Sequence, residues 1–178
     1  MTVIVQNPER VVSAMAPYDR RGHEARYRMA AGWLRPGDIV IDAACGTGYG
    51  AAILEERGPI EYFGVERDLS VLEAEPADAR RFLAADLETW GGPPTPFDVA
   101  IVFETLEHLS DPQTLVSWTF RARRFVLVSV PIVPTPDNPY HRHDFTRSDI
   151  ETLYAPMYPV AYFEQPDEHS GIWVYGQW

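Results

Sequence analysis

Val40-Ile-Asp-Ala-Ala-Cys-Gly-Thr-Gly-Tyr-Gly50 is the stretch on which the fold turns. Asp38-Ile-Val-Ile-Asp42 reads as a short buried strand. Residues 51–57 read as a helix stopped by Gly58-Pro59, so the glycines fall on a strand-to-helix turn. An open α/β sheet binds its ligand at such a turn. Gly46, Gly48 and Gly50 let the backbone approach a ligand closely and supply positive φ where it is needed. A Gly-x-Gly by itself is shared by dinucleotide, flavin and nucleoside sites.

Working outward, the spacing of Ala25, Met29, Ala30, Trp33 and Leu34 predicts a helix over 18–34, ended by Pro36-Gly37. Strands are expected at 60–66, 80–84, 97–103 and 125–130, with helices at 69–75, 112–122 and 146–154. Residues 131–144 are rich in proline and histidine and read as non-helical, and 160–164 with 172–178 read as a pair of strands. Five alternations of strand and helix followed by a hairpin predict an α/β fold. Its sheet is doubly wound and mostly parallel, with an antiparallel C-terminal hairpin. Residues 1–17 are expected to form an N-terminal arm and 18–178 one domain, without a sizeable cap over the ligand site.

Asp42 narrows the ligand. A dinucleotide pyrophosphate in this turn would meet a carboxylate, and one such like-charge pair at ~4 Å costs about 4 kcal/mol at an effective dielectric near 20. A ligand with an amino group and a sulfonium is attracted instead, and S-adenosylmethionine has both. Glu66 ends the second strand some 20 residues on, where a carboxylate accepts from ribose hydroxyls. Asp86, in Ala84-Ala85-Asp86-Leu87 beyond the third strand, is placed to accept from an adenine amino group. Three acids at three successive strand ends are far more specific than any one of them.

These segments resemble the cofactor motifs of class I S-adenosylmethionine-dependent methyltransferases. The glycine stretch is similar to the first motif, Gly64-Val-Glu66-Arg-Asp to the second and Ala-Ala-Asp86-Leu to the third. Phe97-Asp98-Val-Ala-Ile-Val-Phe-Glu104-Thr-Leu-Glu107-His108-Leu-Ser-Asp-Pro112 resembles the fourth-strand motif. The resemblance covers roughly residues 18–178 and implies a seven-stranded Rossmann-like sheet. It also implies a cofactor-binding set of Asp42, Cys45, Gly46, Gly48, Tyr49, Glu66, Asp86, Leu87 and Glu104. Two departures stand out. Thr119-Phe-Arg-Ala-Arg-Arg124 occupies the place of a glycine-rich turn before the fifth strand, and the helix after the second motif is short.

The histidines allow three readings. In one, Glu104, Glu107 and His108 bind a divalent cation such as Mg with His143 or His141, a pattern similar to the metal site of small-RNA 2′-O-methyltransferases. In another, His108 or His143 is the general base that takes a proton from the acceptor hydroxyl. In the third they only brace the loop, with Asp144 orienting a neighbouring ring. Tyr18, Tyr27, Tyr49 and Tyr140 are candidates to pack on the acceptor or on the sulfonium, Tyr49 first among them.

Composition sets the limits. The 178 residues carry 15 cations, every one an arginine, against 26 acids, for a net charge of −11. Mechanisms that need a lysine are excluded, and an acidic chain argues against DNA or RNA as acceptor. Residues 1–36 carry a net charge of +3, read as a solvated helix face or as a rim for an anionic acceptor. A single cysteine, Cys45, excludes an internal disulfide and a multi-cysteine zinc site. Neither a secretory core nor a 20-residue apolar run is visible, so a cytoplasmic, membrane-free protein is expected. The resulting expectation is methylation of a hydroxyl on a sugar, glycan or natural-product metabolite, with an oligomer or partner completing the acceptor pocket. A non-catalytic module that binds S-adenosylmethionine or S-adenosylhomocysteine stays open as the alternative, and a nucleotide-dependent oxidoreductase stands third.

Overall fold

Val99–Phe103 (β4) is apolar from end to end and all five residues are buried, as a central parallel strand covered on both faces requires. The computed structural model describes residues 17–68, 70, 81–134 and 138–177, with side chains from residue 21 onward. The chain begins with α1 (Pro17–Ala31), β1 (Ile39–Ala43) and α2 (Gly50–Leu54), which runs into a 3-10 turn at Glu55–Arg57. β2 (Glu61–Glu66), β3 (Phe82–Ala84) and β4 follow, then a 3-10 turn at Leu106–His108, α3 (Gln113–Thr119) and β5 (Phe125–Pro131). α4 (Arg147–Leu153), β6 (Tyr158–Gln165) and β7 (Ser170–Gly176) complete it. The expected helix at 69–75, most of the arm at 1–17, Arg80 and Trp178 lie outside the described residues.

The seven strands form one sheet in the order β3-β2-β1-β4-β5-β7-β6. β1 to β5 are parallel, and β7 runs antiparallel to both β5 and β6. The expected C-terminal hairpin is present, with its second strand inserted beside β5 and its first at the sheet's edge. The chain leaves β1 for β2 on one side and returns to β4 on the other, so a crevice opens at the carboxyl ends of β1 and β4.

Each strand face feeds its own core. Ile41 and Ala43 of β1 join Val102, Trp118, Val128 and Trp173 on one side of the sheet. Val40 joins Tyr27, Leu54, Tyr62, Ile101 and Leu127 on the other, beneath α1 and α2. α2 approaches α1 closely because Gly50 has no side chain. A Cβ there would fall 2.3 Å from the Tyr27 ring. The arginine run before β5 is also accounted for. Arg124 pairs with Asp38, and Arg121 Nη2 donates to the Gly91 carbonyl at 2.7 Å, so guanidinium groups fasten what a glycine turn would leave open. Among the described residues no helix is long and apolar enough to cross a membrane.

Candidate active site

A cavity of about 380 Å³ fills the crevice. Ala44, Cys45, Gly46 and Tyr49 reach it from the turn after β1, Glu66 and Arg67 from the end of β2, and Ala85 to Glu88 from beyond β3. Phe103, Glu104 and Thr105 close it from the end of β4, His108 and Leu109 from the 3-10 turn, and Tyr140 and Arg142 from the loop before α4. The turn after β1 is built on left-handed backbone, with φ of 57° at Gly46 and 81° at Gly48. Ala44 at φ 58° and Glu104 at φ 47° hold the same conformation without being glycine, a local strain that typically sits at ligand sites.

Asp42 corrects a sequence expectation. It is fully buried and does not line the cavity. Alternation along β1 sends its side chain, like that of Val40, into the layer under α1 rather than off the end of the strand. Tyr62 donates its hydroxyl to Asp42 Oδ2 at 2.7 Å, and the Tyr27 hydroxyl lies 3.0 and 3.2 Å from the two oxygens. Burial raises the Asp42 pKa to about 7, against the pull of the two tyrosine hydrogen bonds. Its influence on the cavity passes through Tyr27, which lines the wall and meets Tyr49 edge-on at 5.3 Å. Gly48 shapes the turn from behind and is likewise absent from the lining. Cys45 does line it, and burial, reinforced by the charges of Asp42 and Glu66, drives its thiol far above the usual range. It is a protonated wall group and not a nucleophile.

Glu66 and Asp86 stand where the strand ends place them. Glu66 is buried at the cavity edge and one carboxylate oxygen accepts the Asp68 N–H at 3.1 Å. Asp86 is exposed on the cavity wall, with one oxygen accepting the Glu88 N–H at 3.0 Å. Leu87 is buried and bridges the wall to the core. Glu88, also in the lining, accepts N–H groups from Ser110 and Asp111 at 2.7 and 3.3 Å, and these hold its pKa below the usual value.

Arg26 is a site residue that residue type alone does not single out. It belongs to the basic stretch read as a solvated face or rim, yet its side chain is 2% exposed and lines the cavity from α1. Arg26 Nε lies 3.6 Å from Glu104 Oε1, and Nη2 donates to Ser170 Oγ at 3.2 Å. Glu104 also accepts from Ser129 Oγ at 2.7 Å and from Ser170 Oγ at 3.3 Å, so three elements converge on its carboxylate. His23 lines the same wall; its Nδ1 lies 3.1 Å from Arg26 Nη1. Burial first and the Arg26 charge second lower the His23 pKa to about 4, so the ring is neutral at pH 7. The missed signal was positional: His23, Arg26 and Tyr27 stand three and four residues apart on one helix face.

At the mouth, His108 Nδ1 is 3.2 Å from the Tyr140 carbonyl, and Nε2 is 3.7 Å from Glu107 Oε1. The Glu107 carbonyl accepts N–H groups from Arg142 at 2.7 Å and His143 at 3.3 Å, which docks the 138–143 loop on the 3-10 turn. That docking brings His141 against His108, ring centres 5.1 Å apart. Ligand atoms of Glu107, His108 and His141 all lie within 4.8 Å of one another. The expected metal set is therefore corrected. Glu104 is held by Arg26 and the two serines, outside that group. His143 is outside it as well: its ring stacks on Phe145 at 5.5 Å and does not line the cavity, which also removes it from the acceptor oxygen.

A family model described as a methyltransferase domain matches residues 15–166. A probable S-adenosylmethionine-dependent methyltransferase of Mycolicibacterium smegmatis is 30% identical over 162 residues, 82% of this chain and 61% of that protein. The chain thus spans less than two thirds of that relative's length. Among solved structures, the magnesium protoporphyrin IX methyltransferase of Synechocystis PCC 6803 with bound S-adenosylhomocysteine superposes with a TM-score of 0.71 at 18% identity, covering 89% of this chain and 85% of that one. The 1,6-didemethyltoxoflavin-N1-methyltransferase of Burkholderia thailandensis gives 0.67 at 20% identity, covering 90% and 80%.

Proposed function

The chain belongs to the methyltransferase-domain family, and from that membership we propose that it moves a methyl group from S-adenosylmethionine to a hydroxyl of a sugar, glycan or natural-product metabolite. One observation carries the reading: Glu66, Asp86 and Arg26 line a single cavity at the switch point of the sheet. The donor set suits the cofactor's polar groups. Glu66 takes the ribose hydroxyls, Asp86 the adenine amino group, and Arg26 faces the carboxylate of the methionine portion. Gly46, bare of side chain, admits that portion to the turn. Tyr49 and Cys45 present aromatic and uncharged sulfur surface beside it.

S-adenosylmethionine, when bound, supplies a methyl group already activated by its sulfonium. The protein's own work is then alignment of the acceptor, exclusion of water and handling of one proton. His108, Tyr140 and Arg142 border the acceptor end. Of the two candidate bases, His108 is the one that lines the cavity, with its Nδ1 3.2 Å from the Tyr140 carbonyl. Supporting a hydroxyl acceptor over a polyanion are the cavity's carboxylates, Glu66, Asp86, Glu88 and Glu104.

Calorimetry with S-adenosylhomocysteine tests the cofactor half. The wild type should bind, and Glu66→Gln should bind at least tenfold more weakly with little loss of thermal stability. Equal affinity in the two proteins would sink the assignment. The acceptor half is tested by S-adenosylhomocysteine release over a panel of sugars, glycans and phenols. Binding without turnover on every acceptor would favour the non-catalytic module instead. His108→Ala should lower turnover far more than cofactor affinity.

A further inference from the structure

We propose that His23 is a specificity-determining residue of the acceptor pocket: Arg26 locks its ring in one tautomer, and the remaining ring N–H donates to an oxygen of the molecule that receives the methyl group. The role given to that N–H rests on the methyl-transfer reading above; the tautomer does not.

The tautomer follows from which groups can donate. A guanidinium carries no acceptor, so the 3.1 Å contact between Arg26 Nη1 and His23 Nδ1 requires a lone pair on Nδ1. Burial and the Arg26 charge keep the ring neutral, so its one proton at pH 7 is on Nε2. The guanidinium is itself fixed in place. Nη2 donates to Ser170 Oγ at 3.2 Å, and Glu104 and Glu168 lie 3.6 and 3.7 Å from Nε and Nη2. Nε2 sits across the ring from Nδ1, so its N–H points away from Arg26. An oxygen held there is a different ligand atom from one held by the guanidinium.

Topology separates the two ligands. Glu66 and Asp86 follow β2 and β3, on the half of the sheet that receives the nucleoside portion of the cofactor. The turn of α1 that carries His23 is pinned to the other half. Arg26 meets Glu104 beyond β4 and Ser170 at the start of β7, and Gln165 Nε2 at the end of β6 donates to the Gly22 carbonyl at 3.0 Å. Gly22 permits this approach, since a Cβ there would run into the Glu168 carboxylate. His23 is half-buried and lines the cavity, and among the described residues Arg26 is the one polar partner of its ring. The cofactor's own polar groups are matched by Glu66, Asp86 and Arg26, which leaves the Nε2–H for the methyl acceptor.

A fixed donor of this kind selects by what it can pair with. An acceptor that offers an oxygen lone pair there, from a hydroxyl, ring ether or carboxylate, keeps the N–H satisfied. One that offers a methyl or ammonium group leaves it stranded in a half-buried position. The same lock excludes base catalysis by this ring. Its one lone pair is engaged by Arg26, so His23 holds the acceptor and takes no proton from it.

The test has one arm that needs no acceptor. Nitrogen-15 correlation spectra of the labelled full chain should show His23 as a neutral ring protonated on Nε2 that does not titrate between about pH 5 and 8. A ring protonated on Nδ1, or one that titrates near the ordinary value of about 6.5, overturns the proposal. The second arm measures methyl transfer over the panel of sugars, glycans and phenols. His23→Leu should raise the acceptor KM roughly fivefold or more, with kcat changed less than about twofold and S-adenosylhomocysteine affinity kept by calorimetry. His23→Gln, whose amide can both accept from Arg26 and donate, should recover most of that loss, and His23→Ala serves should the leucine variant not fold. An unchanged acceptor KM in His23→Leu overturns the proposal. So does a loss of S-adenosylhomocysteine affinity as large as the rise in KM, which would assign the N–H to the cofactor. Failure of the methyl-transfer reading appears separately, as wild-type protein without turnover on every acceptor whatever the spectra show, and it takes the acceptor role of His23 down with it.

Discussion

Asp42 is the residue whose chemistry differs most from its first reading. It lies in the wall behind the cofactor turn as a carboxyl whose pKa burial has raised to about 7. A folded-state pKa above the unfolded one means that the native protein holds the proton more tightly, so stability falls as pH rises from about 4 to about 7. Asp42→Asn removes that dependence while leaving an isosteric partner for the Tyr27 and Tyr62 hydroxyls. The variant should match wild type near pH 4 and exceed it above pH 7 by an amount on the order of a few kcal/mol. Urea denaturation at pH 5 and pH 8 measures it, and a variant with the wild-type difference between the two pH values would refute it. The Arg26–Glu104 pair makes the opposite point. Arg26→Met strands a carboxylate that otherwise faces a guanidinium 3.6 Å away, at a cost of about 3–5 kcal/mol. Adding Glu104→Gln should recover part of that loss, and strictly additive losses in a double-mutant cycle would refute the coupling. Neither environment could be read from residue type. One more arginine among six in the first 36 residues looks like surface until the helix is docked.

Elements were more legible than environments, because period and punctuation are local. β4 declares itself as an uninterrupted apolar run, and β1 by the same rule up to Asp42. Strand alternation already paired Asp42 with Val40 rather than with Ile41, but the tyrosines that receive it come from α1 and β2. α4 starts at Arg147, one residue inside the helix expected from 146. Thr146 is the capping residue: its Oγ1 accepts the Asp149 N–H at 3.3 Å and Asp149 Oδ2 accepts the Thr146 N–H at 2.8 Å. Thr146→Ala should therefore cost about 1 kcal/mol. In a domain of this size that corresponds to roughly 2–4 °C in the melting temperature. Calorimetric scanning of Ser148→Ala beside it supplies the control, and a larger loss from Ser148 than from Thr146 would contradict the assignment. The boundary between His141 and His143 is a different case. Both lie in a segment without period, and only the backbone bonds onto Glu107 decide which ring meets His108.

Over the whole molecule, topology followed from the alternation of strands and helices, since right-handed crossovers leave few ways to wind such a chain. What alternation could not supply was the wall that α1 builds, because a helix preceding the first strand has no sequence signal for the side it will cover. Charge acts at this scale too. The chain carries a net −11 and its ligand cavity keeps Glu66, Asp86, Glu88 and Glu104 against Arg26, Arg67 and Arg142. The proposed cofactor enters with a sulfonium that the product lacks. A long-range negative field therefore favours the substrate form over S-adenosylhomocysteine, and salt screens that preference, the screening length being about 10 Å at 0.1 M. Raising sodium chloride from 0.05 to 0.5 M should weaken S-adenosylmethionine binding by more than it weakens S-adenosylhomocysteine binding, by roughly a factor of two to five. Calorimetric titrations of both ligands at the two salt concentrations read the ratio directly. A ratio that stays constant would show that the carboxylates around the cavity act only through their hydrogen bonds, with the protein's overall charge irrelevant to the choice between the two ligands.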